Sequence, residues 1–126
     1  MKVLLAGGGT GGHVYPAIAI ANKIKEHNPD CEILFVGTKN GIESEIVPKA
    51  GFELKTVTVQ GFKRKIDFDN VKRVFKLCKG LEQSRRIVKK YKPDIVIGTG
   101  GYVSGPVLFN SALNKNVTIV HEQNSF

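Results

Sequence analysis

Short apolar runs alternate along this chain with longer stretches in which apolar residues recur at helical spacing. Val3-Leu4-Leu5-Ala6, Ile33-Leu34-Phe35-Val36 and Ile95-Val96-Ile97 are unbroken apolar runs, the pattern of a strand buried on both faces. Glu53 to Val59 and Val117 to Val120 read as a third and a fifth strand. Between the first two runs, Ala17, Ile20, Ala21 and Ile24 fall at i, i+3, i+4 and i+7. That spacing predicts a helix over about Val14 to His27 with one buried face, closed by Asn28-Pro29-Asp30. A short helix is expected from about Ile42 to Lys49, before Gly51.

The stretch before the fourth strand carries two stripes. Val71, Val74, Phe75 and Cys78 form one; Leu81, Ser84, Val88 and Tyr91 form the other. Two helical stretches are expected, jointed at Gly80 and stopped by Pro93. A last helix over about Pro106 to Leu113 ends at Asn114-Lys115-Asn116. Strands that alternate with helices imply an α/β fold with a doubly wound parallel sheet, Rossmann-like, as one domain over residues 1–126.

Two strands run into glycine. After Ala6 come five glycines in six residues, Gly7-Gly8-Gly9-Thr10-Gly11-Gly12, then His13 and a helix with Pro16 near its start. After Ile97 comes Gly98-Thr99-Gly100-Gly101-Tyr102-Val103-Ser104-Gly105-Pro106, the same grammar again. A backbone without Cβ atoms beside a helix N-terminus makes a cradle for an anion. Both turns, and the His121-Glu122-Gln123-Asn124 that follows the fifth strand, leave the carboxyl ends of strands. In a doubly wound sheet they converge on one edge, where ligands bind.

The kind of anion is narrowed by missing residues. Gly7, Gly9 and Gly12 satisfy the dinucleotide fingerprint, but the second strand runs into Gly37-Thr38-Lys39 with no acid for a ribose, which disfavours a nicotinamide cofactor. Gly7 and Gly12 also have Walker spacing, yet His13 and Val14 stand where Lys and Ser or Thr are needed, so a nucleotide-hydrolysing loop is excluded more firmly.

Composition bounds the class: 126 residues with 41% hydrophobic content suit a globular domain with a core. No apolar run approaches a membrane span, and Val3 to Ala6 is too short for a signal peptide, so none is expected. Cys31 and Cys78 are far apart and read as two reduced thiols. Charge is the uneven quantity. Of the formal net +8, the segment from Lys63 to Lys92 holds the whole excess, with twelve basic residues against Asp67, Asp69 and Glu82. A solvated helix face is the plain interpretation. Phe68 and Phe75 set among Lys and Arg favour adsorption to an anionic membrane surface over nucleic acid.

His13, at the end of the first glycine turn, is either a residue that caps and packs or a general base beside a phosphate cradle. His27 reads as a surface residue at a helix end. His121 and Glu122, adjacent on a strand, face opposite ways. Three histidines without HxxxH spacing argue against a metal site.

Gly7 through Ala17, Gly100 through Pro106, His121-Glu122-Gln123-Asn124 and Lys92-Pro93-Asp94 occur in order across the chain, which thereby resembles the MurG family of bacterial N-acetylglucosaminyltransferases that make lipid II of peptidoglycan. The resemblance implies the N-terminal, acceptor-binding half of an inverting GT-B glycosyltransferase. It implies transfer of N-acetylglucosamine from UDP-N-acetylglucosamine to the C4 hydroxyl of undecaprenyl-pyrophosphoryl-N-acetylmuramyl-pentapeptide, lipid I; no cofactor is expected, and no residue is assigned to a metal. By that similarity His13 and Glu122 are catalytic. Gly9, Thr10, Gly11, Gly12, Gly100, Gly101, Tyr102, Ser104, Gln123 and Asn124 border the substrates. Lys63, Arg64, Lys65, Phe68, Lys72, Arg73, Phe75, Lys76 and Lys79 rest on the cytoplasmic face of the bacterial plasma membrane, with no nucleic acid involved. The family's C-terminal, donor-binding domain is absent from this chain. A fragment is therefore expected, the alternative being a non-catalytic polyprenyl-diphosphate-binding subunit of a two-chain transferase. Either way, the chain alone is expected to be inactive.

Overall fold

A computed structural model describes residues 1–8, 11–58, 68–100 and 104–121, without the side chains of 68–74, 76 and 77. In chain order the elements are β1 (Lys2–Gly7), α1 (Gly11–His27), β2 (Glu32–Gly37), α2 (Glu43–Lys49), β3 (Glu53–Thr56), α3 (Phe68–Tyr91), β4 (Ile95–Gly100), α4 (Ser104–Leu113) and β5 (Val117–Val120). The strands form one parallel sheet in the order β3-β2-β1-β4-β5. The chain leaves β1 toward β2 and β3, then crosses back to β4 on the other side. The topological switch therefore lies between β1 and β4.

Period-2 alternation splits the apolar runs between two cores. Val3, Leu5, Ile33, Phe35 and Ile97 pack with Val14, Ala17 and Ala21 of α1 and Val47 of α2. Leu4, Ala6, Leu34, Val36 and Val96 pack with Val88 of α3 and Val107 of α4. This is why the runs carry no polar residue: both faces are covered, and each fully buried side chain contributes about 1.5–3 kcal/mol. Ile20 and Ile24 lie against the first core partly buried, as the helical spacing anticipated.

Several boundaries differ from the sequence reading. α1 begins at Gly11, before Val14, so Pro16 sits past the first turn and has no N–H to return to Gly12, four residues back. α3 is one continuous helix through Gly80, not two. Gly80 is buried, and Asn110 Nδ2 of α4 donates to the neighbouring Leu81 carbonyl at 3.0 Å. A packed glycine costs a helix about 1 kcal/mol, less than a break in a helix held by tertiary packing. Its second stripe is the buried one, with Ser84 and Val88 at 0% exposure, whereas Phe75 of the first stripe is 72% exposed. β4 continues past Ile97 to Gly100, carrying the second glycine turn one step further along the sheet; β3 stops at Thr56, although Val57 still donates its N–H to Gly37.

Candidate active site at the carboxyl edge of the sheet

Parallel strands put every carboxyl end on one edge, and the strand order makes β1 and β4 neighbours there. Gly8 N–H points at the Gly100 carbonyl at 3.4 Å, and His121 N–H, just past β5, donates to Gly98 at 2.8 Å. Gly8, Gly100 and His121 thus share one rim.

α1 and α4 both start at this rim, and neither has an acidic residue in its first turn. Their N–H groups and positive dipole ends are therefore not neutralised by their own carboxylates. α2 starts at the same edge but carries Glu43 and Glu45 in its first turn. Of these three helix starts, the pair flanking the switch is the one suited to an anion.

His13 stands between the two glycine turns. Its Nδ1 lies 3.2 Å from the Gly8 carbonyl. A carbonyl only accepts, so this contact is a hydrogen bond when Nδ1 carries the hydrogen, the tautomer that leaves Nε2 as the basic nitrogen. Thr99 Oγ1 donates to the His13 carbonyl at 2.7 Å, holding the start of α1 against β4. Across the rim Gly100 has φ +115, and a Cβ there would land on the His13 ring. The close approach of backbone to imidazole is what the glycine allows.

Ser104 is buried, with Oγ 2.9 Å from the Ala6 carbonyl and 2.7 Å from that of Gly100, while it accepts the Gly100 N–H at 3.1 Å. Its hydroxyl ties β1 to β4 beneath the rim, so what this position presents upward is the start of α4. Gly11 and Gly12 open α1, half-buried and exposed respectively. His27 is exposed at the far end of α1, and His121 is exposed beside an apolar groove that includes Val3, Ile20 and Ile119. Gly9, Thr10, Gly101, Tyr102, Glu122, Gln123 and Asn124 lie outside the described residues, as do Lys63, Arg64 and Lys65. Phe68, Lys72, Arg73 and Lys76 belong to α3 without described side chains; Phe75 and Lys79 are exposed on it. Among the described residues no cluster of His, Cys, Asp or Glu could hold a metal, and no helix is long and apolar enough to cross a membrane.

Sequence reasoning missed Glu43. It looked for an acid directly after β2 and found Gly37-Thr38-Lys39, but the fold returns Glu43 to that place. Its Oε1 accepts the Thr38 N–H at 2.6 Å and the Thr38 hydroxyl at 2.7 Å. The side chain is 0% exposed, so it is turned into the core and does not face a ribose. The readable signal was the i, i+4 pair Glu43 and Val47 on the buried face of α2.

Residues 3–126 match the glycosyltransferase family 28 N-terminal domain. The chain belongs to glycosyltransferase family 28. This family 28 chain is 83% identical over all its 126 residues to the UDP-N-acetylglucosamine–N-acetylmuramyl-(pentapeptide) pyrophosphoryl-undecaprenol N-acetylglucosamine transferase of Clostridioides difficile (strain 630), of which it covers 31%. It is 59% identical, again over its whole length, to the protein of the same name from Thermoanaerobacter sp. (strain X514), covering 35% of it. The crystal structure of Acinetobacter baumannii MurG superposes with a TM-score of 0.82 at 30% identity, over 98% of this chain and 35% of that one. The resemblance to MurG and the Rossmann-like fold of a GT-B N-terminal domain are borne out. The chain spans about a third of the length of these relatives.

Proposed function

We propose that this chain is the acceptor-binding half of an inverting glycosyltransferase that converts lipid I to lipid II. The observation that carries the reading is the pair of acid-free helix N-termini at the β1/β4 switch with His13 between them. The two N-termini hold the acceptor's pyrophosphate, helped by the backbone of Gly9 to Gly12 and Gly100-Gly101 and by Tyr102. The acceptor's C4 oxygen attacks the anomeric carbon of N-acetylglucosamine. The new C–O bond forms as the bond to UDP breaks, the electron pair leaves with UDP, and His13 Nε2 takes the hydroxyl proton. Glu122, Gln123 and Asn124, just past His121, complete the polar border toward the donor. Most donor contacts belong to the second domain of a GT-B enzyme, so residues 1–126 by themselves do not transfer sugar.

The exposed Phe75 and Lys79 on the basic α3 support docking on the anionic cytoplasmic leaflet. Salt-dependent adsorption to anionic vesicles, with duplex DNA bound no better, is the expected result; preference for DNA contradicts it.

The test of the reaction uses a chimera in which this chain replaces the matching N-terminal segment of the Clostridioides difficile relative. His13→Ala lowers kcat for transfer to lipid I by about 10²–10⁴-fold, with acceptor affinity nearly kept. Loss of acceptor binding alone, with kcat intact, would instead favour a non-catalytic diphosphate-binding subunit.

A further inference from the structure

Glu43 is a fully buried carboxylate that the proposed reaction does not use. Three backbone positions close on it. A Cβ at Gly8, Gly37 or Gly41 would collide with its side chain, and at Gly8 that Cβ would sit 2.7 Å from the carboxylate carbon and 3.0 Å from Oε2. Gly8 follows β1, Gly37 ends β2 and Gly41 precedes α2, so the side chain joins the first two turns of the sheet. Burying a charge is costly unless donors meet it; here the N–H and hydroxyl of Thr38 both bond Oε1.

Gly8 is in turn the residue that orients His13. Among the described residues its N–H lies 3.4 Å from the Gly100 carbonyl of β4 and its carbonyl 3.2 Å from His13 Nδ1 of α1. The first is longer than an ordinary N–H···O bond and the second is at the long end of the range, so the two do not pin the Gly8 peptide by themselves. The carboxylate behind it is the firm wall.

We propose that Glu43 is the positioning residue of His13: anchored by Thr38, it holds Gly8 where the Gly8 carbonyl keeps the hydrogen on Nδ1 and the lone pair on Nε2. The catalytic part of this rests on His13 acting as the base. The role is one of shape and hydrogen-bond acceptance. A glutamine, whose carbonyl oxygen can take both Thr38 donors in the same volume, therefore replaces Glu43, while alanine leaves a void behind Gly8.

Two measurements test it. In this chain, imidazole ¹⁵N shifts report the His13 tautomer. The Nδ1–H form is expected to persist in Glu43→Gln and to give way to a tautomer mixture in Glu43→Ala, with Thr38→Val intermediate. Should Glu43→Ala not fold, Thr38→Val alone carries the reading. In the chimera, Glu43→Ala lowers kcat per folded molecule by roughly 10–100-fold, with KM for both substrates within about threefold, and Glu43→Gln stays within about threefold of the parent. An unchanged tautomer in both Glu43→Ala and Thr38→Val overturns the proposal. So does a Glu43→Gln enzyme as impaired as Glu43→Ala, or a kcat per folded molecule that Glu43→Ala leaves intact. If the unsubstituted chimera does not transfer sugar, the reaction assignment fails, and the ¹⁵N measurement still decides whether Glu43 sets His13.

Discussion

Replacing Gly100 with alanine separates backbone strain from collision at the rim, because two other glycines serve as controls. Gly100 has φ +115, and its added Cβ would meet the His13 ring. Gly51 has φ +88 but open space around it, so Gly51→Ala measures strain alone. Gly105 lies in the first turn of α4 with nothing within 4 Å of a Cβ, so Gly105→Ala carries neither penalty. Strain at a positive φ is of order 1–3 kcal/mol, and forcing a methyl group into a filled space adds about 1–3 kcal/mol more. Gly100→Ala should therefore destabilise by roughly 2–6 kcal/mol, Gly51→Ala by roughly 1–3, and Gly105→Ala should stabilise by about 0.5–1. At roughly 3–6 °C per kcal/mol for a domain of this size, thermal unfolding followed by circular dichroism resolves the three. In the chimera Gly100→Ala also loses about 100-fold in kcat, because the ring is pushed aside. If Gly100→Ala is no more destabilising than Gly51→Ala, the imidazole does not rest on Gly100, and the geometry argued for the rim is wrong.

Ser104→Ala leaves the Gly100 N–H and the Ala6 carbonyl without the hydroxyl that now serves both, and should cost about 1–3 kcal/mol in urea unfolding; a change within error contradicts the stitching role. Tyr91 is pushed up to about 12, by burial first and then by Glu32 and other negative groups nearby. Its neutral form is favoured in the folded state, so its contribution is fully present below pH 10 and is lost as pH rises from 10 through 12. Its buried hydroxyl has no partner among the described residues. Tyr91→Phe should therefore be neutral or stabilising at pH 7 and should flatten the loss above pH 10; an unchanged alkaline slope refutes this.

The parts of the molecule readable in the sequence are those set by local periodicity and by a rule of topology. Val3 to Ala6 must be a strand covered on both sides because nothing in it is polar. Once strands alternate with helices, the convergence of the turns after β1, β4 and β5 follows from parallel pairing. Helical spacing with Val47 could have signalled that Glu43 is buried, but not its setting, which depends on three glycines, two of them close in sequence and one, Gly8, 35 residues away, that meet only in the folded sheet. The continuity of α3 was hidden for a related reason. Gly80 weakens a helix locally, and the contacts with α4 that hold it lie about 30 residues further on. That β1 would run beneath Ser104, its Ala6 carbonyl within reach of the hydroxyl, is a fact of strand order.

The central claim is that a lipid-borne diphosphate sits on the rim between β1 and β4, beside His13. The direct measurement is a titration of ¹⁵N-labelled chain with a short-chain prenyl-diphosphate-linked muramyl-pentapeptide, read at each backbone amide. The account predicts shifts at Gly8, Gly11, Gly12, His13, Gly100 and His121. The molecule also has a groove of about 450 Å³ between α3 and the β1–β2–β3 side of the sheet, lined by Lys2, Glu53, Lys55, Arg86, Lys90 and Tyr91. Shifts confined to that groove, with the rim silent, would contradict the account.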